Sequence, residues 1–175
     1  MVSNACLAIF GPFEEKDLEL TRREFEVNYF GYIHMIKSVL PHMKAQGGGT
    51  IYNVSSGVGL TGFPNLYGYA STKGAIEAMS RALAMELEVY SIYVGIIHPP
   101  VTNTRSAKPL GVPKEIMSDP AEVGRRLTEK IERRRAVITP DVHTAVGLGL
   151  QRHFPGLMGR LLAKMTQRAR KDSEV

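Results

Sequence analysis

The sequence predicts an α/β fold: a doubly wound parallel sheet with helices on both faces. Three observations predict it. Short β-rich apolar runs alternate with longer stretches of helical periodicity. The breaks between them carry strong punctuation, Gly47-Gly48-Gly49 and Pro99-Pro100. No repeat or low-complexity tract interrupts the alternation. Strands separated by helices are the pattern of a parallel sheet. In such sheets the functional loops lie at the C-terminal ends of the strands.

Val2 to Ile9 reads as a short strand and loop. Leu20 to Gln46 reads as a helix with Phe25, Tyr29, Tyr32, Ile36 and Leu40 in its apolar set. Pro41 is expected to kink or shorten it, and the three glycines stop it. Thr50 to Ser55 is the next strand, Tyr69 to Tyr90 a second long helix, and Ser91 to His98 a third strand. Ser118 or Asp119 caps a helix that opens on Pro120. Arg135 to Thr139 is a last short strand, followed by one or two helices to about Lys171. Residues 1–150 are expected to form the catalytic part, and 151–175 a C-terminal amphipathic helix packed on it or at a subunit contact.

A chain of 175 residues is long enough for one cored domain. One cysteine, Cys6, excludes an internal disulfide and fits a reducing, cytoplasmic setting. The N-terminus has no basic n-region, so no secretory signal is expected, and no apolar run approaches a membrane span. The net charge of +5 is uneven: the residues from Ala121 onward carry +6 and the first 120 carry −1. No zinc-finger spacing or aromatic-interleaved basic patch points to nucleic acid, and no carboxylate stands at metal spacing from the scattered histidines.

The stretch SSGVGLTGFPNLYGYASTK holds two rival signatures. Tyr69 and Lys73 lie four apart at the start of a helix and share a face. An ammonium beside a phenol favours the phenolate, so this pairing tunes a tyrosine for proton transfer. Ser56 ends the preceding strand thirteen residues earlier, at the same end of the sheet, where its hydroxyl can bond a substrate oxygen. Ser55 rivals Ser56 and Tyr67 rivals Tyr69. The interval and the lysine offset favour Ser56 and Tyr69. Asn28, a poor helix residue on an apolar face, is either a core amide at a kink or an amide that positions water beside the lysine. Gly57, Gly59 and Gly62 match GxGxxG, but the long helix begins about seven residues after Gly62, and no acidic residue closes a second strand. They read as a loop between Ser56 and Tyr69 that faces substrate.

Together these motifs resemble the short-chain dehydrogenase/reductase family. EFEVNYFGYIHMIKSVLPHM is similar to its N-x-x-G helix, NVSS to its strand-ending serine, YASTK to its Y-x-A/S-S-x-K, and GIIHPPVTNT to its strand and P-G-x-x-x-T loop. VSNACLAIFGPFEE resembles its NNAG segment. The similarity runs to about Thr104 and then loosens.

The resemblance implies a partial Rossmann-like fold and an NAD- or NADP-dependent oxidoreductase of a carbonyl/hydroxyl pair. It implies Tyr69 as general acid/base, Lys73 lowering the tyrosine pKa and holding the nicotinamide ribose, Ser56 polarising the reacting oxygen, and Asn28 completing a proton relay through water. Asn4, Pro99, Thr102 and Thr104 would join Tyr69 and Lys73 around the cofactor. A small, hydrophobic carbonyl or alcohol would be the substrate, and a homo-oligomer the assembly.

The chain departs from the family in lacking its TGxxxGIG loop; its first residues match the family's fourth strand. The missing part is on the order of 80 residues. A truncated or inactive member without cofactor binding is therefore the alternative reading, beside a binding or membrane-surface module. In the family the first strand lies beside the fourth, so an exposed apolar edge and self-association are expected. Cys6 replaces the last glycine of NNAG, and Pro100 the glycine of PG. The Phe154 to Arg170 tail carries Leu157, Met158, Leu161, Leu162 and Met165 on one stripe, with Arg160, Lys164, Arg168 and Arg170 elsewhere. That pattern serves docking or subunit contact, which is the expectation, and membrane surfaces use the same one.

Overall fold

The computed structural model describes residues 1–110, 112 and 114–173, with side chains through 165. Four parallel strands form one sheet in sequential order: β1 (Val2–Ser3), β2 (Gly49–Val54), β3 (Ile92–Ile97) and β4 (Val137–Ile138). Ser3 pairs with Asn53 and Val54 with Ile97, so three strands end at one level. That register carries Asn4, Ser56 and Pro99 to the same edge.

The first helical stretch is one rod in three pieces: α1 (Leu18–Phe25), a π-helical turn (Glu26–Phe30) and α2 (Gly31–Ala45). Asp17 caps it by accepting from the Glu19 backbone N–H. Pro41 does not shorten it: the helix continues past it to Ala45. Pro41 and Lys37, whose carbonyl loses its intrahelical partner, both lie on the exposed side, where water replaces the bond. The irregularity falls instead on the π turn that contains Asn28, where one extra residue is accommodated. The rod ends as the glycines require: Gly47 has a φ of 81°, and the Gly48 N–H returns to the Met43 carbonyl.

A short helix α3 (Val58–Thr61) precedes the long α4 (Tyr67–Leu87). α5 (Pro120–Ile131) is capped by Asp119, not Ser118, through the Glu122 N–H. α6 (Val142–His153) spans the 150/151 division and is followed by α7 (Pro155–Ser173). The segment after the β3 loop forms two 3-10 turns, Arg105–Leu110 and Lys114–Ile116; Gly111 and Pro113 lie outside the described residues.

Both faces of the sheet are covered. Ile51, Ile92 and Val94 pack against Ile36 and Met43 of α2 and Leu83 and Leu87 of α4. Tyr52, Val54, Ile97 and Ile138 pack on the other side against Leu127 and Ile131 of α5. Each fully buried aliphatic side chain contributes about 1.5–3 kcal/mol. β1 is the outer strand, and its Val2 is 46% exposed. Among the described residues no helix is long and apolar enough to cross a membrane.

Candidate active site

Tyr69 sits in the first turn of α4, near enough to Ser56, just past the end of β2, for the serine hydroxyl to work against the rise of its pKa. The two rivals point elsewhere. Ser55 is buried and donates to the Lys73 carbonyl at 3.3 Å. Tyr67 accepts from the Thr21 hydroxyl at 2.8 Å and meets the Phe13 ring edge-on. The start of α4 rests on a buried pair that the sequence reading missed: Lys16 Nζ lies 2.6 Å from Glu24 Oε2. Lys16 also donates to the Ile9 carbonyl, and the Ile9 N–H donates to Glu24, so both charges are held by further bonds. A Cβ on Gly68 would collide with that carboxylate, which is why glycine precedes Tyr69.

Burial pushes the Tyr69 phenol up to about 12; the nearby Cys6 adds to the rise, and the Ser56 hydroxyl opposes it. Burial also pulls the Lys73 ammonium down to about 8, with Cys6 acting against the fall. The expected lowering of the Tyr69 pKa by Lys73 is absent from this arrangement. Lys73 Nζ donates to the Val54 carbonyl at 2.8 Å and lies 5.5 Å from the centre of the Tyr69 ring. Its charge is tethered to the strand end and not to the phenol oxygen. It lies equally far from the ring of Tyr32, a residue the sequence reading counted only as core. Tyr32 is four residues beyond Asn28 on the same rod, which is the signal that could have found it.

Asn28 is fully buried and holds both backbone groups of Leu7: Oδ1 accepts from its N–H at 2.7 Å, and Nδ2 donates to its carbonyl at 2.8 Å. Nδ2 also donates to Thr72, whose hydroxyl donates to the Tyr69 carbonyl. The amide thus ties the loop after β1 to the first turn of α4.

The glycines of the GxGxxG match serve packing. A helix does begin on them, α3, which corrects the expectation of a plain loop. A Cβ on Gly59 would lie 2.8 Å from the Lys73 backbone carbon, and one on Gly57 would collide with Gln151. Gly62, at φ 68°, turns the chain out of α3. Gly57 and Gly59 approach protein on the sides where a phosphate cradle needs open backbone.

One turn beyond Lys73, Glu77 is buried against His98, with Oε1 2.6 Å from Nε2, and Arg81 reaches its other oxygen at 2.9 Å. Burial works to raise the Glu77 carboxyl, but His98, Ser55 and Arg81 outweigh it and hold it below its ordinary value. The pair joins α4 to the residue before Pro99. Sequence spacing alone carries no signal for it.

The other expected cofactor residues stand around the strand ends. Asn4 and Thr104 are exposed, and Pro99 is half-buried. The Thr102 hydroxyl donates to the Pro100 carbonyl at 2.9 Å, and Thr102 bridges to Ser118, fixing the loop after β3.

This loop, the serine and the Tyr–Lys turn all fall within residues 1–114, which match the family model described as short chain dehydrogenase. The chain belongs to the short-chain dehydrogenase family. It is 46% identical over 99 residues to the uncharacterized oxidoreductase YusZ of Bacillus subtilis (strain 168), covering 57% of this chain and 35% of that one. It is 33% identical over 147 residues to carbonyl reductase (NADPH) 2 of Sus scrofa, covering 83% of this chain and 57% of the relative. A solved short-chain dehydrogenase from Burkholderia cenocepacia J2315 in complex with NADP superposes with a TM-score of 0.75 at 26% identity, covering 87% and 66%. The chain therefore spans between about a third and two thirds of those relatives' lengths.

Proposed function

We propose that the chain carries the catalytic part of an NAD- or NADP-dependent oxidoreductase that interconverts a carbonyl and a hydroxyl group, with Tyr69 as general acid/base. The observation that carries this reading is the meeting of Ser56, Tyr69 and Lys73 where β2 ends and α4 begins. A phenol raised to about 12 keeps its proton at neutral pH, so Tyr69 donates it to a ketone oxygen as the carbon is reduced. In the reverse direction Tyr69 removes it from the alcohol. Ser56, beside the phenol, donates its one hydroxyl proton to the substrate oxygen and orients it. The Lys73 ammonium has three donors, and one of them goes to Val54, its single side-chain hydrogen bond among the described residues. The other two suit ribose hydroxyls of the cofactor.

Asn28 frames this turn and completes the relay through water at its remaining Oδ1 lone pair. Asn4, Pro99, Thr102 and Thr104 are assigned to the nicotinamide side of the cofactor. When bound there, the nicotinamide supplies or accepts the hydride. The reading extends to a hydrophobic substrate, a cytoplasmic setting with Cys6 reduced, and a homo-oligomer. Residues 1–150 act as the catalytic part, with 151–175 as an amphipathic helix packed on it or at a subunit contact.

A second reading has its own observation. No TGxxxGIG loop occurs in these residues, and Gly57 and Gly59 are closed by protein. On that reading the chain is an inactive member that binds no cofactor. Titration of the purified chain with NAD(H) and NADP(H), followed by ketone reduction, separates the two. Binding and a reduction rate lost by about 10²-fold or more in Tyr69→Phe support the first. No binding at millimolar cofactor leaves the second.

A further inference from the structure

The α6–α7 segment carries large apolar side chains that nothing in the fold covers. On α6, Val142, Val146 and Leu150 recur every fourth residue and are 78%, 58% and 45% exposed. Phe154, between the helices, is 57% exposed. On α7, Leu157, Leu161 and Met165 follow at the same spacing, 67%, 48% and 55% exposed. This is not a helix left loose on the surface. The other side of α7 is seated: Met158, Gly159 and Leu162 are partly buried, and a Cβ on Gly159 would lie 3.0 Å from the Thr61 carbonyl oxygen. The stripe expected to dock as one unit is therefore split. Met158 and Leu162 face the fold, and Leu157, Leu161 and Met165 face outward.

Charge says what kind of partner the outward side fits. From Val142 to Met165 there is no aspartate or glutamate; Arg152 reaches the buried Glu77 at 3.8 Å, and Arg160 and Lys164 stand exposed beside the apolar stripe. An ordinary solvated helix mixes signs, as α5 does where Glu122 pairs with Arg125 and Arg126. A second copy of the chain meeting this face would set like charge against like. An anionic lipid surface takes both features at once, with apolar side chains in the acyl boundary and cations at the phosphates.

We propose that α6 and α7 form a peripheral docking surface for an anionic lipid bilayer, with Val142, Val146, Leu150, Leu157, Leu161 and Met165 as its apolar contact.

The test is co-sedimentation of the full 175-residue chain with vesicles of phosphatidylcholine alone or with phosphatidylglycerol added. The expected result is binding to the anionic vesicles, at least about tenfold weaker on neutral ones, and weakened further by salt. Leu157→Glu with Leu161→Glu should abolish it. Arg160→Glu with Lys164→Glu should weaken it by about fivefold or more for each charge, on a surface that keeps its apolar stripe. These positions are exposed, and circular dichroism checks that each variant stays folded. Absent binding, or equal binding to both vesicle types, overturns the proposal. So does wild type that ignores vesicles but loses its self-association in the double leucine variant, which would make the stripe a contact between copies.

Discussion

Lys73 shows how a single position balances stability against chemistry. It is 1% exposed, pairs with no carboxylate among the described residues, and holds its proton at neutral pH only against burial. Its folded pKa, near 8, lies below the ordinary lysine value. The penalty is therefore full below pH 8 and fades as pH rises toward the unfolded value near 10.5. Lys73→Met is expected to raise unfolding stability by about 1–3 kcal/mol at pH 7, after loss of the Val54 bond, while removing activity. The gain should shrink between pH 8 and 10. Urea melts at pH 7 and pH 10 check this; a loss of stability at pH 7 would show that the Val54 bond outweighs the burial cost. Tyr69, Lys73 and Ser56 were legible as residue types at set intervals. The actual state of Tyr69 was not, because proximity in sequence says which groups can meet and not where the ammonium is tethered.

At the scale of elements, the junction of α3 with α4 matters most. Gly59 lets the short helix lie directly on the backbone at Lys73 and Gly74. Gly59→Ala puts a methyl group within 2.8 Å of the Lys73 backbone carbon, where no flexible side chain can yield. The expected cost is about 1–3 kcal/mol, with activity falling further because Ser56 and Lys73 lie on either side of the contact. Thermal unfolding and ketone-reduction kinetics read the two effects, and an unchanged melting temperature would contradict this packing role. The long helices and the order of strands were readable from periodicity and punctuation. Pro41 misled because its exposed position lets water take the orphaned carbonyl. The four-residue α3 was missed because a run that short carries no period of its own.

For the whole molecule, β1 is the consequential feature. It is a two-residue edge strand with Val2 46% exposed, and Val27, Phe30 and Met35 on the adjoining rod are 40%, 41% and 54% exposed. An unpaired strand edge beside apolar surface favours association of this chain with itself. Light scattering is expected to show concentration-dependent growth that Val2→Lys reduces by about tenfold in association constant. A sharp monomer at all concentrations would sink the prediction. The sequence by itself determined the parallel α/β class and the family, since these follow from local periodicity and from motifs at fixed intervals. Only the tertiary structure decided that the glycine match is packing, that Glu24 and Glu77 are buried against Lys16 and His98, and that the C-terminal stripe divides into a seated and a free side. Each of those depends on segments far apart in the chain reaching the same few ångströms, and no local pattern encodes that distance.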